Sequence, residues 1–289
     1  MPFDSDIGDK LAALGIIDPA QVEVFHDRVR DGSGVNVLRC RKSGVIFLSG
    51  RASRGGGYYG SHPGFSYWSA DTRAQALLST RDDDERRARQ FGALIQGRKW
   101  LDIGTGLGGV LDLLAGKAAA VSAVEPQPSA REELRRLGYS VVEDAAALPP
   151  GGFDVVTMFH VLEHLPDPVT ALVEIRGHMV SGGTLIVEVP HARDALLTLY
   201  ESAAFKDFTF WSEHLVLHTR GSLEAMLRAA GYRNIRITGY QRYPLPNHLH
   251  WLAKGAPGGH KAWSMLRSPD VDDSYASLLD RLDMTDTLL

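Results

Sequence analysis

The chain holds a single cysteine, Cys40, among 289 residues, which excludes an internal disulfide and a zinc site built from several thiolates. Long apolar runs are missing as well. No segment approaches the roughly 18 to 20 consecutive apolar residues of a membrane span, and Met1 to Lys10 carries several acids without an apolar stretch. A cytoplasmic protein without a membrane partner is therefore expected. Positive charge is not in excess either: 31 Lys and Arg face 35 Asp and Glu, for a formal net charge of −4. With the basic residues scattered, no nucleic-acid partner is expected. The mixed-sign run Arg81 to Arg89 reads as a solvated helix face with local ion pairs. No internal repeat is evident.

What the chain does have is enough apolar residues, 44%, for one enzyme-sized core with attachments. It also has a distinctive glycine turn. Lys99-Trp-Leu-Asp-Ile-Gly-Thr-Gly-Leu-Gly-Gly109 reads as a buried strand, a turn and the start of a helix. Gly104, Gly106 and Gly109 satisfy the G-x-G-x-x-G spacing of a dinucleotide site, but Asp102 stands two residues before the first glycine. A carboxylate there repels a pyrophosphate and favours a cation. S-adenosylmethionine, with an ammonium and a sulfonium and no phosphate, suits it.

Asp102-x-Gly104-x-Gly106-x-Gly108 resembles the first motif of class I S-adenosylmethionine-dependent methyltransferases. The later signals keep the βαβ rhythm. Glu125 ends a strand about 20 residues past the turn, where an acid can accept both ribose hydroxyls. Asp144, followed by Ala145, ends the next strand, where the family places an acid on the adenine amino group. The resemblance implies a cofactor set of Asp102, Gly104, Thr105, Gly106, Gly108, Glu125, Pro126, Asp144, Ala145, Phe159 and His160.

Strands at 100–103, 120–124, 140–143, 153–159 and 184–189, alternating with helices, require an α/β fold with a mostly parallel sheet. Asn234 to Gln241 and His248 to Lys254 read as a final antiparallel hairpin, completing a Rossmann-like seven-stranded methyltransferase sheet. Three blocks are expected. Residues 1–97 form an N-terminal extension with a short helix near Pro19 to Arg30, a hairpin from Val35 to Leu48 and a long helix from about Asp71 to Ile95. Residues 98–255 form the cofactor domain, and 256–289 a tail with a peripheral helix.

Chemistry is expected beyond the fourth strand, at His160-Val-Leu-Glu163-His164-Leu-Pro-Asp-Pro168. H-x-x-E-H is also a zinc-protease pattern on a long helix, which Pro166 and Pro168 prevent. Ubiquinone-pathway O-methyltransferases carry a similarly spaced acid/His set. That likeness leaves open a divalent ion at His160, Glu163 and His164, beside a reading in which Glu163 and His164 only brace the loop; no metal is assigned. Trp211-Ser-Glu213-His214 is similar to the Tyr-x-Glu-His set of nucleotide-sugar C-methyltransferases, with Trp in place of Tyr. Those enzymes also have a Tyr-rich segment, here Tyr58-Tyr59-Gly-Ser-His62, and a zinc-binding cysteine set of which Cys40 to Gly44 looks like a remnant.

The expectation is methyl transfer to a small hydroxylated metabolite, a sugar or nucleotide-sugar for preference, in polysaccharide or natural-product synthesis. His214 is the expected base, oriented by Glu213, with His164 second and Tyr58, Tyr59, His62 and Trp211 against the acceptor. A nicotinamide oxidoreductase and a non-catalytic cofactor-binding module are the alternatives. Oligomeric state is not fixed by sequence.

Overall fold

The computed structural model describes residues 3–50 and 72–289. In chain order its strands are β1 (Val22–His26), β2 (Val37–Cys40), β3 (Ile46–Leu48), β4 (Lys99–Ile103), β5 (Ala120–Val124), β6 (Val141–Val142), β7 (Phe153–Phe159), β8 (Met179–Pro190), β9 (Val216–Leu217), β10 (Gly239–Tyr240) and β11 (Thr287–Leu288). The described residues separate into two compact units: 72–161 with 170–187, and 3–50 with 162–169 and 188–289.

The first unit carries the Rossmann-like layer. β4 lies parallel between β7 and β5, and β5 is parallel to β6. Trp100 and Leu101 are fully buried, as are Val156, Thr157 and Met158, because central parallel strands are covered on both faces and need near-continuous apolar runs. The register sets Asp102 opposite Thr157. The helix Arg73–Ile95 starts at Thr72, whose hydroxyl accepts from Gln75 N. Its charged run is only partly solvated: Asp84, Arg86 and Arg87 are buried, with Arg87 lying 4.6 Å over the Phe159 ring.

The second unit has an antiparallel sheet in the order β1-β2-β3-β9 over a core that includes Val37, Ile46, Leu48, Leu197, Phe210 and Leu217. The hairpin expected over 35–48 is formed by β2 and β3. The helix expected near Pro19 to Arg30 is not: Pro19–Gln21 make one 3₁₀ turn and 22–26 are strand, since β1 has β2 to pair with and Val22 and Val24 favour extended backbone.

The large sheet has the order β10-β11-β8-β7-β4-β5-β6, seven strands with an antiparallel end. Its antiparallel pair differs from the one expected. Gly239 and Tyr240 pair with Leu288 and Thr287, and β11 in turn pairs antiparallel with Val189 and Pro190. Residues 248–254 lie in a helix, Leu245–Lys254. Pro246 sits in its first turn, where a missing N–H costs nothing, and Gly255 closes it at φ 63°. Asn247, His248 and Trp251 share its buried face. The helix expected in the tail spans Pro269–Arg281 and delivers the chain to β11.

Candidate active site

Sequence dictates the glycine turn through conformation. Gly104, Gly106 and Gly108 all have positive φ, at 68°, 56° and 75°. At Gly104 a Cβ would stand 2.5 Å from Val161 Cγ2, so no larger residue fits. The turn is pinned from both sides. Gly104 N and Thr105 N donate to Val124 O, while Arg73 Nε donates to Leu107 O and pairs with Asp112 at 2.6 Å.

Asp102, at the end of β4, is 4% exposed. Trp100 Nε1 donates to Thr157 Oγ1 at 2.8 Å, which leaves that hydroxyl's proton for Asp102 Oδ1 at 2.6 Å. Trp100 and Thr157 are fully buried, so this relay fixes the carboxylate's rotamer. Burial pushes the Asp102 carboxyl up to about 6, against the pull of the Thr157 hydroxyl. Sequence reasoning missed Thr157 and Trp100. The available signal was a hydroxyl within an apolar strand, opposite Asp102 in parallel register.

Glu125, also buried, receives Gly106 N on Oε2 and Gln127 N on Oε1, both at 2.8 Å. Burial pushes its carboxyl up to about 7, opposed by the Gln127 and Gly106 N–H groups. Each oxygen has a second lone pair, so capacity for a ribose hydroxyl remains. Pro126 follows it, and both carbonyls accept from Arg131 Nη1. Asp144 is exposed, and its Oδ1 caps the 3₁₀ turn beginning at Ala145 by accepting from Ala146 N. Phe159 stacks on Phe91 with centroids 5.8 Å apart, and His160 takes φ 56° as β7 ends. These residues fit S-adenosylmethionine. A turn that admits only glycine, a buried carboxylate held ready for a cation, and a second acid at the next strand end match a phosphate-free adenosine donor.

The other unit gathers a second group. Ligand atoms of Glu163, His164 and His214 all lie within 4.8 Å of one another. The imidazole rings of His164 and His214 are 4.9 Å apart at 72°, and Trp211 meets both edge-on at 5.9 and 5.1 Å. Leu215 N donates to Glu163 O at 2.9 Å, tying the two segments together. Ser212 N and Oγ both donate to Asp31, and Arg30 N donates to Phe210 O. The acid of this group is Glu163, and its second histidine is His214. His160 belongs to the other unit.

Three further histidines lie in the interior. His191, His218 and His248 are buried, and loss of solvation pushes each down to about 4, so they are neutral at pH 7. Cys40 is buried with its thiol toward Asp18 O, and no metal cluster among the described residues includes it. Tyr58, Tyr59 and His62 lie outside the described residues. Among the described residues no helix is long and apolar enough to cross a membrane.

Comparison with known proteins identifies the family. A methyltransferase-domain family matches residues 72–237. The ubiquinone biosynthesis O-methyltransferase of Thiobacillus denitrificans is 38% identical over 167 residues, covering 53% of this chain and 72% of that protein. The protein of the same name from Xanthomonas campestris is 32% identical over 115 residues, 36% of this chain and 48% of its own length. Among solved structures, an S-adenosylmethionine-dependent methyltransferase from Archaeoglobus fulgidus superposes with a TM-score of 0.51 at 20% identity, over 73% of this chain and 96% of that one. With the family match spanning more than half of its length and a relative above 30% identity, the chain belongs to the class I S-adenosylmethionine-dependent methyltransferases, enzymes that take S-adenosylmethionine as cofactor.

Proposed function

We propose that the enzyme transfers methyl to the hydroxyl oxygen of a small ring-bearing metabolite, with the proton removed at the Glu163–His164–His214 cluster. The paired imidazoles carry this reading. A neutral hydroxyl is a poor nucleophile, and imidazole is the side chain whose ordinary pKa lies near neutrality. The acceptor oxygen forms a bond to the methyl carbon, the carbon–sulfur bond breaks with its electrons going to sulfur, and the proton passes to His214. The departing thioether is neutral and needs no acid. The rest of the rate comes from alignment. Asp102 and the glycine turn hold the donor, with Glu125 on the ribose and Asp144 toward the adenine.

Two curated relatives are named for O-methylation in ubiquinone biosynthesis, which favours a phenolic or quinol-type hydroxyl over the sugar expected from the Trp211 to His214 likeness. Trp211, edge-on to both imidazoles, is a suitable wall for such a ring. The test uses methyl-labelled S-adenosylmethionine with panels of phenols, catechols and nucleotide sugars, read by mass spectrometry. Label on a phenolic oxygen is expected. His214→Ala should slow transfer by about 10²-fold while S-adenosylmethionine binding is unchanged. Label confined to sugar carbon, or full turnover in the variant, would discard the assignment.

A further inference from the structure

We infer that Arg87 is a positioning residue for the methyl donor: with Asp84 it forms a buried ion pair on the helix Arg73–Ile95, whose cation holds Asp102 in its charged form and whose acid works against it. The inference rests on the reading of Asp102 as the group that answers the donor's positive charge, and not on the acceptor chemistry. Its geometry starts on one helix face, where Thr80, Asp84 and Arg87 follow at i, i+4 and i+7, the last two buried. Thr80 Oγ1 donates to Asp84 Oδ2 at 2.7 Å, and Arg87 Nη1 stands 3.5 Å from Asp84 Oδ1. This face is laid against the glycine turn. A Cβ on Gly109 would run into the Asp84 carboxylate, so the third glycine of the G-x-G-x-x-G spacing makes room for an acid from this helix. Arg73, on the same helix, holds the turn at Leu107 O. The Arg87 guanidinium lies over the ring of Phe159, which ends β7, and β7 also carries Thr157, whose hydroxyl donates to Asp102.

Charges buried this far are costly unless other charges answer them. Burial raises the Asp102 carboxyl most, and the Thr157 hydroxyl opposes it; of the charges that act on it, Arg87 draws it down and Asp84 pushes it up. Glu125, at the end of the next strand and itself raised chiefly by burial, interacts with both Asp102 and Arg131. Arg86, beside Arg87, pairs with Asp83 at 3.1 Å. With both acids ionised, the trio Asp84, Arg87 and Asp102 keeps one negative charge inside the fold, which a cationic ligand answers and a phosphate does not.

The test is calorimetric titration of the full chain with S-adenosylmethionine, without acceptor, from about pH 5 to about pH 8.5. Arg87→Met should raise the pH at which half the affinity is lost by about one unit, with affinity recovering at the alkaline end, and Arg87→Lys should restore most of the original profile. Asp84→Asn should move the same midpoint downward, since it removes the opposing acid. A residue that only supports the fold would weaken binding equally at every pH. Should Arg87→Met fold poorly, the direction of the Asp84→Asn shift decides alone. Equal weakening across the range, or an unmoved midpoint in a folded variant, would overturn the proposal. A profile lost in Asp102→Asn but indifferent to both helix substitutions defeats this inference and spares the role of Asp102. A flat profile in the unaltered chain defeats the role of Asp102 and this inference with it.

Discussion

At the level of single residues, the role proposed for Asp102 in selecting the ligand is testable through its protonation. Its folded-state pKa of about 6 lies above the ordinary value, as does that of Glu125 at about 7, both because of burial. Between roughly pH 4 and those values the native chain therefore binds more protons than the unfolded one, and the stability of the ligand-free protein falls as pH rises through that window. Affinity for a cationic donor runs the other way. At pH 5 about one-tenth of Asp102 is ionised, so S-adenosylmethionine should bind about ten-fold more weakly than at pH 7.5. Calorimetry at the two pH values measures this, and Asp102→Asn should bind poorly at both with a flatter pH profile. An unchanged profile would remove Asp102 from donor recognition. Thr157→Val takes away a hydroxyl that serves both Trp100 Nε1 and Asp102 Oδ1. A loss of about 1–3 kcal/mol in stability and weaker donor binding are expected, from chemical denaturation and the same titration.

Among the elements, those with strong periodicity were legible and the very short ones were not. β7 falls on the residues expected, and β4, β5 and the helix Arg73–Ile95 do so to within a few residues, because buried parallel strands and long helices write their environment into the sequence. β11 has only two residues, Thr287 and Leu288, too few for any period. It is made a strand by what surrounds it: β8 on one side, β10 on the other, and Asp286, whose carboxylate accepts from the backbone N–H groups of Arg242 and Tyr243. The prolines at 244 and 246 signalled a turn, but Pro246 opens a helix. The positions of Asp102 and Glu125 were legible because each acid stands at the end of a strand. The meeting of His214 with Glu163 was not, since it depends on the Leu215 to Glu163 backbone bond across a long stretch of sequence. Leu288 is fully buried, so Leu288→Ala should cost about 2–5 kcal/mol by denaturant unfolding, far more than such a change in a frayed tail. A loss below about 0.5 kcal/mol would mean that β11 is not part of the sheet in solution.

On the scale of the whole molecule, the residues proposed to bind the donor and the histidine cluster belong to separate compact units, and each has its own hydrogen-bonded frame. The donor residues should therefore bind S-adenosylmethionine when the histidine cluster is altered, and the cluster should be open to substitution without loss of the fold. What everything else requires is that the glycine turn and Asp102 accept a sulfonium donor and refuse a phosphate-bearing dinucleotide. The most direct measurement is isothermal titration of the purified chain at pH 7.5 with S-adenosylmethionine and, separately, with oxidised and reduced nicotinamide dinucleotides. Saturable heat at one S-adenosylmethionine per chain, lost in Asp102→Asn, with none for the dinucleotides is expected. Saturable dinucleotide uptake with no heat from S-adenosylmethionine would contradict it.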